Sequence, residues 1–224
     1  MTIDQLIKRY GFDIPVAMEL RPRYNLAPTQ PAAIITQNED GKNRLEFMDF
    51  GFIIPWSKSN DLHSYFNLQS ETLLSRDQMK KVLENYRCII PASAFVEPRK
   101  VEKKIGKKES STPFGFFPAD DDWFSLGGVY SVVEMPNGKE VRTFAIITTE
   151  ADDLIEKINH PRMPVIIPRK HEATWLNHKS KLSDYVIDMA PYPSKELRGF
   201  QLQSAINSWK NDSPIVLEPV AALV

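Results

Sequence analysis

The chain has 224 residues, 42% of them hydrophobic and 25% charged, and a net charge of −1. This length and mix suit one large domain with a sizeable core, and the even charge excludes a uniformly basic nucleic-acid coat while leaving a local basic face open. A single cysteine, Cys88, excludes an internal disulfide framework and fits a reducing cytoplasm.

Ile3, Leu6, Ile7 and Tyr10 recur at helical spacing, Thr2 and Gln5 stand at capping-box spacing, and Gly11 follows; the pattern predicts a helix over residues 3–10. The same stretch lacks the unbroken apolar core of a signal peptide, and no run approaches the roughly 18 apolar residues of a membrane span. The expectation is a soluble, cytoplasmic protein without membrane contact. Apolar runs at 32–37 and 44–53 flank the turn sequence "NEDGK" and predict a hairpin. Further strands are predicted at 87–98, 112–119, 123–134 and 141–149, with turns at "ADDD" and "MPNGK". Helices are predicted at 76–86, 151–158, 169–177 and 182–189. With no repeat and no long linker, the whole of 1–224 reads as one α+β domain built on a curved, largely antiparallel, barrel-like sheet with flanking short helices.

Sequence motifs for phosphate loops, nucleophile elbows, zinc sites and paired cysteines are absent, so no metal and no cofactor is expected. Cys88 alternates with isoleucines in a predicted strand and reads as a small buried hydrophobe. The basic stretch at 98–112, with Arg99, Lys100, Lys103, Lys104, Lys107 and Lys108, reads as a solvated hairpin tip, the alternative being a phosphate-binding arm. Polar residues lodged in structured surroundings stand out instead. Asn67 follows "SYF", Glu97 ends the strand "SAFVE", Thr148 ends "FAIIT", and His160 with Arg162 precedes "MPVII". Each has an ordinary structural explanation taken singly, but strand ends share a sheet edge and can assemble an acid, a base and an amide. An unrelated hydrolase using Ser93 or Ser125 with His160 has no supporting motif.

The blocks "RYNLAPTQ" (23–30), "FGFIIPW" (50–56), "NLQSET" (67–72), "RCIIPASAFVE" (87–97), "IITTEA" (146–151), "HPRMPVII" (160–167) and "INSWKNDSP" (206–214) occur in the order seen in the SOS-response-associated peptidase (SRAP) family, which the chain resembles over nearly its whole length. The resemblance implies a peptidase or lyase that shields abasic sites in single-stranded DNA through a covalent DNA–protein crosslink, and that removes its own initiator methionine. It implies catalytic roles for three residues: His160 as general acid–base, Glu97 as handler of the amine or thiol proton, and Asn67 as orienter of the sugar. It also places Asn25, Pro28, Trp56, Gln69, Thr148 and Arg162 along the DNA groove. Gln69 stands where the family has a phosphate-contacting arginine, and Val96 and Pro98 where it has aromatics. The family nucleophile is the cysteine of an opening Met-Cys-Gly-Arg, whereas residue 2 here is threonine. The expectation is therefore that this segment lies upstream of Met1 in the native protein. The alternative is a non-crosslinking single-stranded DNA or DNA-junction binding module. Either way the partner is single-stranded DNA with abasic sites and the protein is expected to be a monomer.

Overall fold

The first helix, α1 (Ile3–Tyr10), forms as its spacing predicts in the computed structural model, which describes residues 1–13, 20–56, 64–99 and 111–222. Thr2 Oγ1 accepts from the Gln5 amide at 3.3 Å while Gln5 Oε1 accepts from the Thr2 amide at 2.7 Å. Gly11, at φ 63°, ends the helix with its amide bonded to the Ile7 carbonyl. His63 and most of the basic stretch, residues 100–110, lie outside the described residues.

The predicted hairpin is β1 (Pro31–Gln37) and β2 (Asn43–Phe50), paired antiparallel from Pro31↔Asp49 to Gln37↔Asn43 across a turn that holds Gly41 at φ 79°. The strand predicted over 44–53 breaks at Gly51. There the chain takes φ 143°, the amide binds the Phe144 carbonyl, and an added Cβ would sit 3.1 Å from the Ser64 Cβ. Beyond the break, β3 (Phe52–Ile53) pairs β4 (Ser64–Tyr65), and β5 (Asn67–Gln69) leads into α2 (Ser70–Ser75) and α3 (Asp77–Asn85). The strand predicted over 87–98 also divides, into β6 (Arg87–Ala92) and β7 (Phe95–Arg99). Next come β8 (Thr112–Pro118), β9 (Phe124–Glu134) and β10 (Glu140–Glu150), then α4 (Asp153–Glu156) and β11 (Arg162–Pro164). The remaining elements are α5 (Glu172–Leu176), α6 (Leu182–Tyr185), β12 (Leu197–Leu202) and β13 (Pro219–Ala222).

Strands β10, β2, β1, β6 and β9 follow one another around a sheet that closes where β9 pairs β10, so the expected α+β domain with a barrel-like, largely antiparallel sheet is what forms. In β1, β6 and β10 both faces of this sheet are buried over the central residues. Ile34, Cys88, Ile90 and Phe144 belong to one apolar cluster and their chain neighbours Ile35, Ile89 and Ala145 to another, which explains why these strands read as continuous apolar runs rather than alternating ones. The second cluster includes the buried faces of α1, α3 and α5.

A second, four-stranded sheet, in the order β13-β12-β8-β7, was not foreseen as separate from the first. Phe95 joins it to the barrel: stacked within its own sheet on Phe116 of β8 at 5.1 Å, its ring lies 5.7 Å from that of Phe124 on β9. Each such ring, removed from water, contributes about 1.5–3 kcal/mol. This seam fixes β7, and with it Glu97, against the barrel.

Candidate functional site

His160 owes its position to the short α4–β11 connection. Asp152 caps α4 by accepting from the Ile155 amide at 3.1 Å, and Asn159 turns the chain in the left-handed region at φ 55°, which asparagine tolerates better than most residues. The Ala151 amide then binds the Pro161 carbonyl at 3.0 Å and opens the pairing of β11 with β10. The imidazole is thereby left at the edge of the barrel sheet, facing the second sheet.

There it meets Glu97. His160 Nε2 lies 3.1 Å from Glu97 Oε2, with the two side chains 14% and 20% exposed. The other ring nitrogen, Nδ1, is 2.8 Å from the Arg162 carbonyl oxygen, which only accepts, so Nδ1 carries a hydrogen. The Nε2–Oε2 contact then requires a proton between its atoms, held as imidazolium with carboxylate or as imidazole with carboxylic acid. A group of this kind gives or takes one proton with little rearrangement, which is what general acid–base chemistry needs.

The last residues of β10 run out of the barrel beside this pair. On one edge β5 continues where β2 stops, with Asn67 opposite Ile146 and Gln69 opposite Thr148; on the other β11 takes over from β9, with Thr148 opposite Pro164. Asn67 and Gln69 alternate with buried Leu68 and are exposed on one face. Thr148 is buried, and its carbonyl accepts from Arg162 at 2.6 Å. Arg162 also grips Glu71 with two parallel bonds, of 2.8 and 2.9 Å. Those bonds from Arg162 hold the Glu71 carboxyl down to about 2. Glu71 was not singled out from sequence; an acid in the first turn of a helix reads as a dipole complement, and nothing local ties it to residue 162.

The other residues expected along a DNA groove lie elsewhere in the fold. Trp56 is 39% exposed beyond β3, and Pro28 is exposed before β1. Asn25 is half-buried, and its carboxamide nitrogen faces the carbonyls of Ile206, Ser208 and Asn211 at 2.9, 3.0 and 3.1 Å. Its donor end is thus used to fold the C-terminal segment. Among the described residues no three metal-ligating side chains cluster, and no helix is long and apolar enough to cross a membrane.

The profile of the SOS response associated peptidase (SRAP) family matches residues 2–209. The chain belongs to that family. The abasic site processing protein YoqW of Bacillus subtilis (strain 168) is 34% identical over 219 residues, covering 96% of this chain and 94% of the relative. The abasic site processing protein YoaM of the same organism is 33% identical over 219 residues, covering 96% and 93%. A crystal structure of a protein from Bacteroides thetaiotaomicron superposes with a TM-score of 0.73 at 21% identity, covering 86% of this chain and 82% of that one, so the two share a fold.

Two groups that carry reactive atoms are disposed of differently by this SRAP structure. Cys88 is fully buried in β6, and burial pushes its thiol well above the usual range, so it is neither accessible nor readily ionised. Ser125 is also buried, and its hydroxyl donates to Glu172 at 2.5 Å and lies 2.7 Å from the Tyr10 hydroxyl. Arg9 completes that cluster, bound to Glu172 at 2.7 Å and to Asp121 at 3.1 Å. The serine is committed to an internal network rather than to His160.

Proposed function

We propose that this SRAP protein binds single-stranded DNA at an abasic site and captures the ring-opened sugar as a covalent DNA–protein crosslink. The observation that carries the reading is the 3.1 Å contact between His160 Nε2 and Glu97 Oε2, set on the seam between the two sheets. The names of the Bacillus relatives support the substrate. A carboxylate and an imidazole sharing one proton serve a condensation that must move protons at several points without a strong acid or base.

In the proposed reaction the α-amine of an N-terminal cysteine adds to the sugar aldehyde, water leaves, and the thiol closes on the imine carbon to give a thiazolidine. Aldehyde and aminothiol thus yield the ring and one water. An α-amine titrating near 8 is partly neutral at physiological pH and attacks without strong activation. His160 protonates the departing oxygen during ring opening and imine formation, Glu97 takes the amine or thiol proton, and Asn67 orients the sugar from β5. Trp56 stacks on a base, Asn25 and Pro28 border the strand, and Gln69 and Thr148 line it. Arg162 neutralises a phosphate once Glu71 yields one of its two bonds. The nucleophile is the cysteine of a Met-Cys-Gly-Arg opening, which these 224 residues do not include; burial of Cys88 removes the internal candidate. The same amine environment serves release of the initiator methionine.

The test mixes protein with single-stranded DNA bearing one abasic site and reads both a binding curve and a denaturing gel. The 224-residue chain is expected to bind without a heat-stable band, and the product of an upstream in-frame Met-Cys-Gly-Arg start to give that band. A robust adduct from the 224 residues would overturn the cysteine assignment. Binding without adduct by the longer product would leave a non-crosslinking module, and absence of binding by both would end the proposal.

A further inference from the structure

The segment Ile206–Asp212 is fastened by several independent bonds yet presents its largest side chain to solvent. Besides the three carbonyls held by Asn25, Asp212 accepts from the amides of Tyr24 and Asn25 at 2.6 and 2.9 Å and pairs with Arg23 at 2.6 Å. The Asn211 amide closes a turn on the Ser208 carbonyl at 2.9 Å, leaving Trp209 and Lys210 at the two central positions. Trp209 is 59% exposed, and the Lys210 ammonium stands 5.9 Å from its ring centroid. By contrast, Trp123 and Trp175 are buried.

Two routes connect this turn to the site. Asn25 is one of the proposed groove residues. Along the other, Asn207 donates to the Ser111 carbonyl at 3.3 Å, next to Thr112, which pairs with Arg99 across the β7–β8 register. Arg99 lies two residues from Glu97 on the same face of β7, about 7 Å along the strand, its guanidinium over the Phe114 ring at 4.6 Å. A cation, then an aromatic with a second cation, thus continue outward from the acid–base pair. A rigidly seated exposed indole beside a lysine is the chemistry that stacks a base and neutralises the adjoining phosphate.

We infer that Trp209 and Lys210 form a flanking-nucleotide subsite, holding an unpaired base a few nucleotides from the abasic position, with Arg99 on the path between. This rests on the reading of the site given above.

The test measures fluorescence anisotropy of labelled single strands carrying an unreactive tetrahydrofuran abasic analogue, lengthened one nucleotide at a time on either side. Wild-type affinity is expected to step up by about tenfold, the worth of one base–aromatic stack, when one flank reaches the subsite. Trp209→Ala should abolish the step and Trp209→Phe retain most of it. Lys210→Gln should make the slope of log K against log salt shallower by about 0.7 for long strands, as loss of one phosphate contact predicts. An unchanged step in Trp209→Ala, or a loss independent of flank length, would overturn the subsite and leave the abasic-site reading standing. If no strand binds the wild type, both fall.

Discussion

Two polar clusters in this protein use similar groups to opposite ends. The Arg9–Glu172–Ser125–Tyr10 cluster is closed: Arg9 and Glu172 side chains are 5% and 8% exposed, and each polar group bonds to another within it. Burial, against the opposing pull of its bonds to Ser125 and Trp123, pushes the Tyr10 phenol up to about 12, so it stays neutral. The Glu97–His160 and Arg162–Glu71 pairs, linked where His160 Nδ1 meets the Arg162 carbonyl, are more open: their side chains are 14–53% exposed, and exposed Gln69 pairs with Thr148, whose carbonyl Arg162 holds. An acid and a cation locked together in the interior hold a fold; the same pair at a rim remains available to a partner.

Substitutions should separate the two. Arg9→Met breaks the closed cluster and strands Glu172, so it should lower unfolding free energy by about 3–5 kcal/mol in a urea titration. If the rim cluster were equally structural, Glu97→Gln would do likewise. Instead Glu97→Gln should leave the urea midpoint nearly unmoved and slow adduct formation by the cysteine-bearing protein by about 10²-fold in a quenched time course. His160→Ala should slow it similarly with little loss of strand affinity, and equal losses of rate and affinity would make His160 structural. The mildest effect belongs to Glu71→Gln. By freeing Arg162 it should tighten binding of abasic single strands about threefold at low salt, an advantage that fades as salt is added. Its stability cost should stay within about 1 kcal/mol, because the Glu71 side chain is 53% exposed and screened by solvent. Since the folded-state carboxyl is held down to about 2, that cost is present above the usual carboxylate range and vanishes as pH falls through about 2. Urea midpoints of the two proteins should therefore differ at pH 7 and converge in strong acid.

Local chemistry in the sequence reached far into this fold. The α1 capping box, the hairpin around Gly41 and the long apolar strands all follow from neighbours in the chain. What escaped depends on distant partners. Asn67-Leu68-Gln69 is too short to show alternation and becomes a strand only through its parallel partner β10. Ser93 and Ala94 carry no breaker signal, yet the chain leaves the barrel there for the second sheet. The site was legible as a set of residue types but not as strand ends: Glu97 sits in the middle of β7 and meets His160 from the α4–β11 connection, because the strand predicted over 87–98 divides and β7 runs on to Arg99. The grip of Glu71 on Arg162, and the use of the Asn25 amide to fasten residues 206–211, are long-range pairings that no local pattern encodes.

The phenylalanine seam has a consequence of its own. Glu97 is carried by the second sheet and His160 by a connection of the barrel, so their alignment depends on how tightly Phe95 nests against Phe124 across the seam. Shaving that seam by a few carbons would let the two halves breathe and part Glu97 from His160 while the molecule stayed folded.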